Sequence, residues 1–98
     1  MRIEFKTGKL QKLAEEEKGA KHFPPAVVDE FFYVLGVIGA AKDERDIRSL
    51  KSLRLHKLKG NRKGQYALNL NKQFRLTMTF EKDADGKYVC LIAIEDYH

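Results

Sequence analysis

The chain has 98 residues, of which 43% are hydrophobic and 34% are charged, a composition that suits one small globular domain over residues 1–98 and leaves no room for two. No apolar run approaches the roughly 20 residues that cross a membrane, and lysines interrupt the N-terminal segment where a signal peptide would be apolar, so we expect a cytoplasmic protein without a membrane partner. The single cysteine, Cys90, excludes an internal disulfide and a zinc ribbon.

The net charge of +5 is concentrated in the middle of the chain. Residues 47–80 contain nine Lys and Arg and no Asp or Glu, whereas the remaining residues contain ten Lys and Arg against fourteen acidic residues. A basic segment within an otherwise acidic chain is typical of proteins that bind a phosphate-bearing partner. Charge alone favours a nucleic acid and leaves an acidic protein segment as the alternative.

The first half of the chain is predicted to be mainly helical. Residues 2–5 alternate polar and apolar and predict a short strand, and an apolar stripe at Leu10, Leu13 and Ala14 predicts a short helix that ends near Gly19. Pro24 and Pro25 suit the first turn of a second helix. Residues 43–50 predict one further helical turn. We expect the second helix to pack against the core with one face, which is formed by Val28, Phe31, Phe32, Leu35 and Ile38.

The second half is predicted to be β-sheet. Residues 66–70 and 74–80 alternate apolar and polar and are separated by a plausible tight turn at Asn71-Lys72, while Asp85-Gly86 predicts another hairpin. Residues 89–94 are apolar throughout, as in a strand covered on both faces. The order predicts an α+β fold with N-terminal helices packed on a mainly antiparallel, twisted sheet. Alternation then directs Arg75 to the sheet face opposite the helices.

Five residues supply the parts for RNA cleavage without a metal: His56, Lys59, Arg75, Tyr97 and His98. A base must take the proton of a ribose 2′-OH, a cation must stabilise the charge on the phosphate, and an acid must protonate the leaving oxygen. Histidine suits proton transfer near pH 7, and arginine matches a phosphate with two parallel N–H groups. No histidine pair has the spacing of zinc ligands, and the chain lacks a P-loop and a glycine-rich dinucleotide turn, so we expect neither a metal nor another cofactor.

Several segments together resemble the HigB toxins of the RelE/ParE toxin superfamily. They are DIRSL at 46–50, LRLHKLKGNRKGQY at 53–66, NKQFRL at 71–76 and EDYH at 95–98, and their order and spacing agree over essentially the whole chain. The resemblance implies a RelE-like fold and a toxin of a type II toxin–antitoxin system that cleaves mRNA in the A site of the small ribosomal subunit. It also implies a HigA-like helix-turn-helix antitoxin as partner, with DNA contacted only through the antitoxin complex.

The resemblance also assigns roles to residues. His56 matches the family's upstream active-site histidine, Lys59 the lysine that follows it, and Arg75 the strand arginine that stabilises the phosphate. Tyr97 and His98 match residues implicated in cleavage, and Asp96 matches an aspartate that supports the site. The remaining basic residues near the site are expected to contact RNA: Arg54, Lys57, Arg62, Lys63 and Lys72.

The chain departs from the family pattern beside Arg75. Phe74 stands where the family usually has tryptophan, which puts a stacking role in doubt, and Asn71 and Lys72 occupy a region that often carries a further basic residue.

The C-terminal strand is expected to hold the site rigid. If residues 89–94 form the central strand of the sheet, Asp96 would fix a neighbouring basic group, and Arg75 on the adjacent strand is the expected partner. The residues leave open which histidine acts as base, although the α-carboxylate of His98 favours its protonated form and hence the role of acid.

Two other functions fit the same fold. One is a poison of DNA gyrase without nuclease activity, as in the ParE branch, and the other is an inactive module that only binds its antitoxin. The pair His56 and His98 favours the nuclease, because ParE toxins generally lack such a pair.

Overall fold

The computed structural model describes residues 1–97, which form three α-helices and five β-strands. His98, one of the predicted catalytic residues, lies outside the described residues. The predicted order of a strand, helices and then strands is confirmed. The helices are α1 (Gly8–Glu16), α2 (Pro25–Ala40) and α3 (Glu44–Arg48), and the strands are β1 (Arg2–Phe5), β2 (His56–Lys57), β3 (Tyr66–Asn69), β4 (Phe74–Asp83) and β5 (Gly86–Asp96).

The strands form one sheet in the order β1-β5-β4-β3-β2. β1 pairs with β5 in parallel, and the other pairs are antiparallel, which confirms a mainly antiparallel sheet. The prediction that residues 89–94 form the central strand is wrong, since β4 holds the middle position and β5 lies between β4 and β1.

Both predicted hairpin turns are present. β4 and β5 are joined at the pair Asp83–Gly86, and Gly86 has a φ of 112°, which a residue with a side chain rarely adopts. Between β3 and β4 the side-chain oxygen of Asn71 accepts hydrogen bonds from the backbone N–H groups of Gln73 (2.8 Å) and Phe74 (2.6 Å). Asn71 therefore closes its turn through its own side chain.

A β-bulge interrupts the pairing of β4 with β5. Met78 pairs with Leu91 and Thr77 pairs with Ala93, so Ile92 is the extra residue. A bulge of this kind changes which residues of the longer strand face each side of the sheet. Every pair between the bulge and the end of β5 is therefore displaced by one residue.

The bulge explains why an uninterrupted apolar run does not form a strand covered on both faces. Val89 and Leu91 are fully buried before the bulge, and Ile94 packs against the core after it. Cys90 and Ala93 are only partly buried. The prediction of two covered faces is wrong. The run is apolar throughout because the bulge changes which residues of β5 face the core, and not because both faces are covered.

Helix α2 begins at Pro25, as predicted, and its fully buried face agrees with the predicted one only in part, at Phe31 and Ile38. Val28, Phe32 and Leu35 are only partly buried. Because the helix is apolar around most of its circumference, the sequence does not determine its rotation. The face that is fully buried consists of Val27, Phe31, Val34 and Ile38.

The core lies between the helices and one face of the sheet, where Leu68, Leu76 and Met78 are fully buried with the α2 face. In the described part of the chain, no helix combines the length and the apolar character needed to cross a membrane. The opposite face of β3, β4 and β5 carries the polar side chains that form the candidate site.

Candidate active site

Arg75 lies in the middle of the polar sheet face. It pairs with Asn69 on β3 and with Glu95 on β5, while its neighbour Leu76 is fully buried on the core side. The prediction that Arg75 points away from the core is confirmed. Only 20% of its side chain is exposed, so neighbouring residues cover most of it.

Glu95 connects two arginines on this face. Its Oε1 accepts hydrogen bonds from Nη1 of Arg62 (2.7 Å) and Nη2 of Arg75 (3.1 Å). Its Oε2 accepts from Nη2 of Arg62 and from Oγ1 of Thr77 (3.2 Å). The hydrogen bonds from Arg62, followed by those from Arg75 and Thr77, outweigh the opposing effect of burial and lower the pKa of Glu95 to about 2. Glu95 is therefore ionised at neutral pH.

The prediction that Asp96 holds Arg75 is wrong. The bulge places Glu95, and not Asp96, opposite Arg75, and Asp96 pairs with Phe74 at the end of the two strands. A carboxylate oxygen of Asp96 accepts a hydrogen bond from Nε2 of Gln73 at 2.9 Å. Asp96 therefore contacts the turn between β3 and β4.

Arg62 has most of its hydrogen-bonding capacity engaged within the protein. Besides its two bonds to Glu95, its Nε and Nη2 donate to the side-chain oxygen of Gln65 at 3.0 and 2.8 Å. About a third of its side chain is exposed. The expected contact of Arg62 with RNA stays a prediction, and its guanidinium already faces protein acceptors.

His56 lies on the short edge strand β2, where it is exposed and pairs with Ala67. Its Nδ1 is 2.7 Å from the carbonyl oxygen of Arg54. Because a carbonyl can only accept, the hydrogen belongs on Nδ1, and in the neutral ring Nε2 is then the free acceptor. This tautomer is the one that a general base requires at Nε2.

An open cleft of about 650 Å³ brings several predicted residues together. Tyr97 anchors one wall, because its backbone N–H donates to the carbonyl of Gln73 (3.0 Å) and its hydroxyl donates to the carbonyl of Asn71 (3.3 Å). The ring of Tyr97 also lies 5.3 Å from Cζ of Arg75, within the range of a cation–π contact. The cleft is lined by Arg54, Leu55, His56, Asn69, Lys72 and Tyr97.

Other predicted residues lie away from this cleft. Lys59 is exposed just before the 3₁₀ turn Gly60–Arg62 and does not line the cleft. Lys57 and Lys63 are exposed, and Nζ of Lys57 lies 5.9 Å from the ring centroid of Tyr66. Over residues 1–97 there is no group of three or more His, Cys, Asp and Glu side chains that could hold a metal ion.

A second cavity, of about 250 Å³, lies between α1 and β5. It is mainly apolar and contains Leu10, Leu13 and Ile94 among its lining residues. None of the predicted site residues within residues 1–97 lines this cavity. The cleft that contains His56 and Tyr97 is therefore the better candidate for the site, although the apolar cavity is the more enclosed of the two.

Sequence reasoning missed Glu95 and Asn69. Asn69 could have been found, because the alternation of Leu68 and Leu70 toward the core directs it to the same face as Arg75. Glu95 could not have been distinguished from Asp96, because the choice depends on a bulge that the apolar run does not reveal.

Solved structures with the same fold are small bacterial toxins. The YoeB/ParE toxin from Agrobacterium tumefaciens has a TM-score of 0.65 at 9% identity, with 100% of each chain covered. YafQ from E. coli strain BL21(DE3) has a TM-score of 0.65 at 13% identity, over 99% of this chain and 94% of that one. YoeB in the YoeB–YefM complex from Staphylococcus aureus has a TM-score of 0.56 at 20% identity, over 100% and 97%. These similarities define a RelE-like toxin fold.

Comparison of the amino-acid sequence with protein families identifies the family within this class of toxins. The model of the HigB-like family, described as the RelE-like toxin of the type II toxin–antitoxin system HigB, matches residues 3–98. Toxin HigB-1 of Vibrio cholerae serotype O1 is 34% identical over 76 residues, which cover 78% of this chain and 80% of that protein. The chain belongs to the HigB-like toxins of type II toxin–antitoxin systems, as the resemblance in its sequence indicated.

Proposed function

We propose that this toxin is a ribosome-dependent endoribonuclease that cleaves mRNA in the A site of the small subunit, without a metal, and thereby inhibits translation. The observation that carries the proposal is the shared cleft of His56 and Tyr97, with Arg54 and Lys72 on its walls and Arg75 in contact with the ring of Tyr97. The cleft is open and bordered by cations, as binding of an RNA backbone requires.

The proposed reaction uses the ribose 2′-OH as nucleophile. Nε2 of His56 takes the proton of the 2′-OH, whose oxygen attacks the adjacent phosphorus while Arg75 stabilises the charge on the phosphate oxygens. The bond from phosphorus to the 5′-oxygen breaks, and a proton passes to that oxygen from an acid. We assign the acid to His98, which lies outside the described residues. The products are a 2′,3′-cyclic phosphate and a 5′-hydroxyl.

The basic residues around the cleft support binding to the ribosome and mRNA. Lys57 and Lys63 are exposed, and Lys72 lines the cleft itself. Lysines can neutralise phosphates without reading sequence. We assign Lys59 the same general role, because it is exposed and lies outside the cleft lining, whereas Arg75, also outside the lining, contacts the ring of Tyr97.

We also propose an antitoxin partner that neutralises the toxin. Similar folds have been solved as complexes, namely DinJ–YafQ from E. coli, with a TM-score of 0.59 at 13% identity, and YoeB–YefM from Staphylococcus aureus. The family description supports such a partner for this chain. We expect a HigA-like helix-turn-helix antitoxin that carries the complex to DNA.

The proposed activity is tested on purified ribosomes programmed with a defined mRNA. Cleavage should generate the two product ends named above and should persist with a chelator that removes transition metals but leaves the magnesium that the ribosome needs. A single 2′-deoxy substitution at the cut site should block cleavage there. An unchanged rate on the substituted mRNA would overturn the mechanism. Stabilised cleavage complexes of purified gyrase on plasmid DNA would instead support a gyrase poison.

A further inference from the structure

The bond from Arg75 to Glu95 extends into a cluster of three charged side chains. Arg62 lies on the loop that precedes β3, Arg75 lies on β4 and Glu95 lies on β5, and the carboxylate of Glu95 contacts both guanidinium groups. We propose that Glu95 is the positioning residue that orients Arg75 toward the scissile phosphate, with Arg62 completing the clamp rather than binding RNA. This inference rests on the proposed function and adds a residue to it.

The first argument is the number of N–H groups that each arginine has free. Among residues 1–97, Arg75 donates only from Nη2 to Glu95, so its Nη1 has no protein acceptor there, while its Nε is buried without a partner. Arg62, in contrast, donates from all three of its guanidinium nitrogens to Glu95 and Gln65. Arg75 is therefore the arginine of the pair with donors left for a phosphate.

The second argument is charge. An ionised Glu95 paired with Arg75 alone would cancel the charge that Arg75 offers to a phosphate. With Arg62 on the same carboxylate, the three groups together carry one positive charge. Arg62 thus allows Glu95 to hold Arg75 without removing the attraction for an anion.

The third argument is rigidity. Glu95 is also held by Oγ1 of Thr77, a fully buried residue on β4, and it lies directly across from Arg75 in the register of the two strands. The guanidinium group of Arg75 also contacts the ring of Tyr97. A catalytic cation fixed in this way loses little freedom when the phosphate arrives.

The test compares Glu95→Gln with the wild-type protein in single-turnover cleavage of ribosome-bound mRNA. The amide keeps the size of the side chain and one accepting oxygen but removes the charge. We expect the cleavage rate at saturation to fall roughly 10- to 100-fold, as a displaced catalytic group would cause, while the affinity for programmed ribosomes should not weaken, because the variant carries one more positive charge. Glu95→Asp keeps the charge and should recover part of the rate. Glu81→Gln, an exposed position on the same sheet, is the matched control and should behave as wild type.

A second readout follows the orientation of Arg75 without any reaction. The ¹⁵N–¹H NOE of its Nε–H group, assigned by the loss of the signal in Arg75→Lys, should be high in the wild type and in Glu81→Gln and low in Glu95→Gln. Equal NOE values in all three proteins, or a wild-type cleavage rate in Glu95→Gln, would overturn the inference. A wild-type protein that cleaves no mRNA would overturn the proposed function, and the NOE would still decide whether Glu95 orients Arg75.

Discussion

Nδ1 of His56 lies 2.7 Å from the backbone carbonyl oxygen of Arg54, two residues earlier in the chain. Arg54 has a φ of 54°, in the left-handed region that residues with side chains seldom adopt. The direction of its carbonyl, and with it the tautomer of His56, therefore depends on an uncommon backbone conformation. The backbone and the side chain of Arg54 serve different purposes, and substitutions can separate them.

Replacing His56 by glutamine should remove the general base. We expect cleavage to fall by roughly 10²- to 10⁴-fold while the toxin still binds programmed ribosomes. Arg54→Asn is the companion variant, because asparagine tolerates the left-handed backbone and preserves the carbonyl but not the cation. It should weaken ribosome binding more than it slows cleavage at saturation. Rapid-quench cleavage and a ribosome pelleting assay measure the two effects, and an unaltered rate in His56→Gln would remove this residue from the mechanism.

Replacing Arg75 by alanine should abolish growth inhibition while the protein stays folded. Loss of a charge-stabilising donor costs about 2.7–4 kcal/mol in the transition state, or roughly 100- to 1000-fold in rate. The fold should tolerate the change because Glu95 keeps its bonds to Arg62 and Thr77. Cell growth after induction, cleavage in vitro and the thermal melting curve together check this expectation. A folded Arg75→Ala protein with near wild-type cleavage would contradict the role given to Arg75.

The low pKa of Glu95 predicts a specific dependence of stability on pH. The folded-state pKa of about 2 lies below the usual 4.5, so the stabilisation is complete above pH 4.5 and is lost as the pH falls toward 2. A difference of this size corresponds to at most about 3.4 kcal/mol. Urea unfolding of Glu95→Gln should show a smaller loss of stability between pH 5 and pH 2 than the wild type. Parallel curves for the two proteins would contradict the assigned pKa, and Glu81→Gln should follow the wild type.

The exposed lysines should determine how binding depends on salt. Lys57, Lys63 and Lys72 have no carboxylate partner in the described part of the chain, whereas Arg62 is paired with Glu95. Replacing the three lysines by alanine should reduce the slope of log K against log[salt] for ribosome binding by roughly 2, at about 0.7 per phosphate contact. Arg62→Ala should alter that slope less than any one lysine variant does. A larger effect of Arg62→Ala would restore its earlier assignment as an RNA contact.

The role given to His98 can be tested separately from folding. Tyr97, which precedes it, is anchored by hydrogen bonds to Gln73 and Asn71. His98→Gln should therefore lower cleavage strongly while the melting temperature changes little, because it removes the acid and leaves the anchors of Tyr97 intact. Single-turnover cleavage and differential scanning calorimetry measure the two quantities. Full activity in His98→Gln would move the acid to Tyr97 or Lys59.

The sequence predicts most of the fold, because the elements follow strong local patterns. The prolines at the start of α2, the alternation along β4 and the turn at Asp85-Gly86 each specify one conformation. The rotation of α2 was not predictable, since both of its candidate faces are apolar. The position of a strand in the sheet depends on pairing between distant segments. For this reason the sequence prediction put residues 89–94 at the centre of the sheet, where the structure has β4.

Only those features of the candidate site that depend on residue type and on strand alternation could be predicted from the sequence. His56, Tyr97 and Lys72 were expected in the site, and the structure places them around one cleft. The predicted partner of Arg75 was wrong by one residue, because the extra residue Ile92 turns Glu95, and not Asp96, to the sheet face of Arg75. A single inserted residue thus decides which carboxylate shares a sheet face with the arginine, since the uninterrupted register would place Ile94 opposite Arg75. Local sequence does not specify the insertion.

The pairing of β1 with β5 has a consequence for how the toxin folds. Arg2 pairs with Tyr88, so the first strand finds its neighbour only in the last. Contacts between segments so distant along the chain form slowly, because the intervening loop must first be closed. The docking of β1 onto β5 is therefore a late event, whereas β5 itself pairs with β4 through the local hairpin at Asp83–Gly86. A partly synthesised chain would have its helices and basic loop but not Tyr97, which lines the cleft, so toxicity should arise only once the end of β5 has been made and paired with β4.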